Sequence, residues 1–135
     1  MTGSASRVHI LVVEDDLDLR DSLVEVLVEA GYDADGVGDG REALRRLSLA
    51  RRPPDLILLD LQMPNMNGIE FRDEQKKLGE LAKIPIAVVS ADPDATEKAR
   101  AIEARALLRK PLRVSQLLAV IPQVVGAARA GERAE

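Results

Sequence analysis

Apolar residues in this chain fall into two kinds of stretch: short unbroken runs, and longer segments where they return every three or four positions. His9-Ile10-Leu11-Val12-Val13 is a β-branched-rich run ending at Glu14-Asp15-Asp16, and reads as a first strand buried on both faces. Leu19, Leu23, Val26, Leu27 and Ala30 then recur at helical spacing, with Asp16 or Asp18 able to cap the helix and Gly31 to end it. Residues 32–37 predict a weaker, more polar strand near a sheet edge. Gly38-Asp39-Gly40 is a turn with Asp39 as N-cap, and a helix runs from Arg41 to about Ala50 until Pro53-Pro54 stops it.

Asp55 to Leu61 is the clearest strand, and it closes on an acid, Asp60. A loop over Met63-Pro64 to Gly68 and a helix from about Ile69 to Leu78 follow. The run from Ile84 to Ser90 carries a fourth strand, and Asp92-Pro93-Asp94 opens a helix reaching about Glu103. Ala106-Leu107-Leu108-Arg109 is a short fifth strand before Lys110-Pro111. Val114, Leu117, Leu118 and Ile121 mark a last helix, which Pro122 kinks rather than ends. The expected organisation is a flexible N-terminus over 1–6, one domain over 7–125, and a frayed or disordered Ala/Arg/Glu tail over 126–135. Five strands alternating with five helices predict parallel βαβ units joined by right-handed crossovers.

Composition narrows the chemistry. Of 135 residues, 46% are apolar and only Tyr32 and Phe71 are aromatic, so the core is aliphatic and stacking platforms for bases or sugars are nearly excluded. The net charge of −4 comes without a basic block, which points away from direct nucleic-acid binding. There is no Cys and one His, His9, so a thiolate or zinc-type metal site is improbable. No apolar run approaches the ~20 residues that a membrane span needs, and residues 1–7 lack a signal-peptide core, so a cytoplasmic protein is expected. Gly36-Val37-Gly38-Asp39-Gly40 lacks the spacing of a dinucleotide fingerprint and follows the second strand, so it reads as a turn.

In a parallel sheet all strands end on one side, where ligands of doubly wound folds bind. Glu14 and Asp15 from the first strand, Asp60 from the third, Ser90 from the fourth and Lys110 after the fifth converge there if the first and third strands are neighbours. Crowded carboxylates repel and raise one another's pKa. A hard divalent cation such as Mg²⁺, which takes one or two carboxylates plus waters and phosphate oxygens, resolves this. Lys110 supplies a point charge suited to a phosphoryl oxygen and Ser90 a hydroxyl donor. The set suits phosphoryl transfer to a carboxylate.

The chain resembles the response-regulator receiver domain of two-component signalling, over about residues 7–125. The resemblance rests on Ile10 to Asp16, Asp55 to Pro64, Asn67-Gly68, Val88-Val89-Ser90-Ala91 and Lys110-Pro111. It implies a flavodoxin-like, doubly wound, five-stranded parallel sheet of order 2-1-3-4-5 with five helices in three αβα layers. It further implies that Asp60 accepts a phosphoryl group from a sensor histidine kinase or a histidine phosphotransfer protein. Mg²⁺ would be held by Asp15, Asp60 and the backbone carbonyl of Gln62, with Glu14 helping, often through water. Lys110 and Ser90 would each bind a phosphoryl oxygen, the Lys110-Pro111 bond would be cis, and Gln62 and Asp92 would tune the dephosphorylation rate. A protein-binding surface around the fourth helix, fifth strand and fifth helix would switch, in a monomer or a phosphorylation-dependent dimer, without steady enzymatic turnover.

The chain departs from the family's pattern where it has Leu107 in place of an aromatic residue, Glu103-Ala104-Arg105-Ala106 in the region that usually holds a Gly-Ala pair, and about two residues fewer between Ser90 and Lys110. Two other readings stay open: a phosphorylation-independent interaction domain, and a haloacid-dehalogenase-type phosphatase. The latter wants an acid two positions after the nucleophile, where Gln62 stands.

Overall fold

A computed structural model describes residues 7–134. Five parallel strands form one sheet of order β2-β1-β3-β4-β5, as the resemblance implies. They are β1 His9–Val13, β2 Asp33–Val37, β3 Leu56–Asp60, β4 Ile86–Ser90 and β5 Ala106–Arg109. The helices between and after them are α1 Leu17–Glu29, α2 Gly40–Leu49, α3 Gly68–Gln75, α4 Ala95–Ala101 and α5 Val114–Ala134.

Side chains alternate across the sheet and feed two cores. Leu11, Val13, Ile57, Leu59 and Val88 point to the face covered by α2, α3 and α4, where they meet Ala43, Leu47, Phe71 and Ala99. Ile10, Val12, Leu56, Leu58 and Val89 point to the other, against Leu23 and Leu27 of α1 and Leu117 and Ile121 of α5. The central strands β3 and β4 are buried at every position, which is why they read as unbroken apolar runs. Truncating one of these buried Leu or Ile side chains to Ala costs about 2–5 kcal/mol.

The helices start at polar caps. The Asp16 side chain accepts the Leu19 N–H and that of Asp39 accepts the Glu42 N–H. α3 begins with a full capping box, Asn67 accepting the Glu70 N–H while the Glu70 carboxylate accepts the Asn67 N–H. This cap starts α3 at Gly68, a residue earlier than the apolar spacing alone predicts.

Two expectations are corrected. The predicted helix over 69–78 is shorter, ending at Gln75, and a 3-10 helix follows over Gly79–Lys83. The buried Gln75 amide explains the break: its Nε2 donates to the carbonyls of Leu81 at 2.9 Å and Ile84 at 3.2 Å, folding the chain back toward β4. The expected frayed tail over 126–135 is, through Ala134, a continuation of α5. Val124 and Val125 bury beneath it and Arg129 pairs with Asp55 at 3.5 Å. The helix runs through Pro122. The expectation for residues 1–6 lies outside the described residues.

Candidate phosphoacceptor site

β1 and β3 are neighbours in register, Val13 opposite Leu59, so the acids that follow these positions meet at one edge. One carboxylate oxygen each from Glu14, Asp15 and Asp60 lies within 4.8 Å of the other two. Asp15 is exposed, whereas Asp60 is 5% and Glu14 2% exposed. Lys110, arriving from the end of β5, places Nζ 2.9 Å from Glu14 Oε1 and 3.5 Å from Asp60 Oδ2. Asp15, Asp60 and Lys110, scattered over the sequence, thus share one pocket with Glu14.

The pocket is electrostatically loaded. Burial, and then the charge of Glu14, push the Asp60 carboxyl up to about 7, against the opposing pull of the Gln62 N–H and of Lys110. Burial alone would lower Lys110, but its hydrogen bond to Glu14 and the charges of Asp60 and Glu14 outweigh this and raise it. Asp60 Oδ1 accepts the Gln62 N–H at 3.2 Å. Both Glu14 oxygens are engaged, Oε1 by Lys110 and Oε2 by the Asp16 N–H at 3.1 Å. Asp15 and Asp60 are therefore better placed than Glu14 to bind a cation directly. An all-oxygen donor set of this kind suits a hard divalent ion.

Ser90 closes β4 next to Asp60, whose register partner is Val89. It is fully buried, and its Oγ accepts the Asp92 N–H at 3.0 Å. The Lys110 N–H donates to the Ser90 carbonyl at 3.0 Å. The Lys110–Pro111 peptide is cis, as the resemblance implies. The Gln62 side chain donates to Asp92 Oδ2 at 3.1 Å, an oxygen that also takes Lys98 Nζ at 2.5 Å. The Lys98 ammonium holds the Asp92 carboxyl below the ordinary carboxylate range. Leu107 packs, half-buried, against the core on the α2–α4 side. His9 pairs with Asp35 at 2.9 Å on the β2 side and is no part of the site.

Two supporting residues escape sequence reading. Arg20 of α1 donates to the Glu14 carbonyl at 2.9 Å, pinning the acidic turn from beneath. It reaches there because Gly36 presents no side chain: a Cβ at that position would stand 2.7 Å from Arg20 Cγ. Gly36, inside β2, and Gly38, in the turn after it, thus form a bed for Arg20. Lys98 is the second, and no spacing rule connects it to Asp92. Gly68 has a comparable reason, since a Cβ there would lie 3.0 Å from the Leu61 Cα and 3.1 Å from the Asp60 carbonyl oxygen. The first turn of α3 can therefore pack directly on the strand end that carries Asp60.

A doubly wound α/β fold with an acidic pocket and a lysine at its carboxyl edge is the arrangement that the resemblance to receiver domains implies. Residues 10–122 match the family described as the response regulator receiver domain. This chain belongs to that family, the receiver domains of two-component response regulators. It is 37% identical over 115 residues to the DNA-binding response regulator MtrA of Mycobacterium tuberculosis, an overlap covering 84% of this chain and 48% of MtrA. It is 36% identical over 118 residues to the transcriptional regulatory protein PdtaR of the same organism, covering 87% of this chain and 56% of PdtaR. The chain thus spans about half the length of these curated relatives. Among solved structures, the Vibrio cholerae chemotaxis protein CheY4 superposes with a TM-score of 0.80 at 30% identity, covering 88% of this chain and 99% of that one. No described helix is long and apolar enough to cross a membrane.

Proposed function

We propose that this receiver accepts a phosphoryl group on Asp60 from a phosphohistidine of a sensor histidine kinase or histidine phosphotransfer protein. The observation that carries this is the placement of the Asp60 carboxylate between a lysine 3.5 Å away and two further carboxylates on β1's end. An Asp60 carboxylate oxygen attacks phosphorus, an O–P bond forms, and the P–N bond to the imidazole breaks. The bonding pair leaves with the ring nitrogen. Asp15, Asp60 and the Gln62 carbonyl would hold Mg²⁺, with Glu14 acting through water because its own oxygens are taken. When bound, Mg²⁺ supplies the positive charge that offsets the clustered acids and the phosphoryl oxygens.

Lys110 neutralises one phosphoryl oxygen, moving from Glu14 toward the new charge. Ser90 Oγ donates to another once its hydroxyl hydrogen turns that way. Both residues border β4 and β5, so their rearrangement reaches the surface formed by α4, β5 and α5. The Gln62–Asp92–Lys98 link, anchored two residues after Asp60 and two after Ser90, would govern access of hydrolytic water. Gln62 supplies no acid two residues after Asp60, which speaks against a turnover phosphatase. The protein works as a signalling phosphoacceptor.

Incubation with Mg²⁺ and acetyl phosphate, followed by intact-mass measurement, tests this reading. The expected result is a gain of one phosphoryl group that disappears in Asp60→Asn. A parent protein that gains nothing, or a gain that survives the substitution, rejects it.

A further inference from the structure

At the opposite edge of the sheet lies a half-open cavity of about 280 Å³, bounded by the chain leading into β4 and β5, by α3, and by the far end of α5. Three cations line it, Arg72, Lys83 and Arg105, against one carboxylate, Glu103. That carboxylate is held by Lys76 at 3.0 Å. In a chain of net charge −4, this is a local concentration of the opposite sign.

Arg72 is built into the wall. Its Nε donates to the Ile102 carbonyl at 3.0 Å, and its Nη1 to Gln75 Oε1 at 2.9 Å and to the Ala82 carbonyl at 3.1 Å. These bonds use three of the five guanidinium N–H groups, and Nη2 has no partner among the described residues. No buried side-chain nitrogen or oxygen in the described residues lacks a partner, so Nη2 is reached by solvent. Arg105 is exposed and makes no ion pair among the described residues. Burial lowers the pKa of Arg72, Glu103 opposes this, and Arg105 adds a smaller lowering. Two guanidinium groups with open donors thus line one cavity, and a guanidinium matches planar oxyanions through paired N–H donors. The small residues Ala127, Ala128 and Gly131 of α5 close the cavity without filling it.

We infer that this cavity binds a small oxyanion, a molecule bearing phosphate or carboxylate groups, between Arg72 and Arg105. Binding ties the far end of α5 to the starts of β4 and β5, away from Asp60.

Titration of the isotope-labelled full chain with inorganic phosphate and, separately, with citrate tests the site, in EDTA at constant ionic strength set with chloride. The expected result is saturable amide shifts at Ile86, Arg105 and Ala127. Arg105→Ala should weaken the affinity by about tenfold or more, as expected for loss of a charge-assisted hydrogen bond. A stronger response to phosphate or to citrate assigns the ligand class. Arg105 lies on the surface, and the rest of the spectrum reports whether the variant stays folded. Lys83→Ala, with a weaker loss, supplies a second reading. Shifts confined to residues around Lys110, unchanged affinity in both variants, or equal shifts from chloride alone would overturn the inference.

Discussion

Replacing Asp60 by Asn should make the metal-free protein more stable at neutral pH. Burial and Glu14 raise the Asp60 carboxyl from 3.8 to about 7, so the folded chain must either bind a proton there or hold a charge out of water. An acid raised by folding carries more protons in the folded state than in the unfolded one across the interval between its two pKa values. Stability therefore falls as pH climbs from 3.8 to about 7, and the whole loss is present above that. At about 1.36 kcal/mol per pH unit the interval amounts to roughly 4 kcal/mol. Asn removes the charge while its Oδ1 can still accept the Gln62 N–H. Urea unfolding in EDTA should find the Asn variant about 3–4 kcal/mol more stable at pH 7.5, with the gap closing below about 2 kcal/mol at pH 5. Adding Mg²⁺ should stabilise the parent by mass action and the variant far less. A variant no more stable than the parent at pH 7.5, or a gap indifferent to acid, would refute the electrostatic reasoning.

Three further outcomes are expected. Asp15→Asn should weaken Mg²⁺ binding by roughly tenfold or more, measured by calorimetric titration, with the fold kept because Asp15 is exposed. Gly68→Ala should cost about 1–3 kcal/mol in urea unfolding, since the methyl must push against the Asp60–Leu61 backbone, and should slow phosphorylation by acetyl phosphate. Gln75→Leu should cost about 2–4 kcal/mol by the same measurement, as the Leu81 and Ile84 carbonyls lose their donor inside the protein.

Much of the architecture could be read directly from residue patterns. β1, β3 and β4 are buried on both faces, so their apolar runs are unambiguous, and the meeting of the acids at the ends of β1 and β3 with the lysine after β5 follows from parallel topology. The helix before β4 was harder, because Leu78 and Leu81 continue its apolar rhythm. Only the long-range bonds of Gln75 break it. The tail offers small residues and charges that suit a frayed end equally well. Its helix leans on Val124, Val125 and the Arg129–Asp55 pair, and the Asp55 partner is remote in sequence. The stretch Glu103 to Ala106 likewise reads as lacking a Gly-Ala pair, yet Glu103 adopts φ 61°, the left-handed conformation glycine favours, and ends α4 as a glycine would. Arg20 and Lys98 act through bonds to a backbone carbonyl and a loop acid, which leave no periodic trace.

The buried amide of Gln75 has an effect well beyond its own turn. By gripping the Ile84 carbonyl, two residues ahead of Ile86, it fixes how far the chain advances before β4 begins. A strand is a stiff ruler, rising roughly 3.3 Å per residue, and an offset of one residue turns every side chain to the other side. Val89 or Ala91 would then stand in place of the Ser90 hydroxyl. One glutamine at the floor of the sheet thus determines which side chain arrives at its summit.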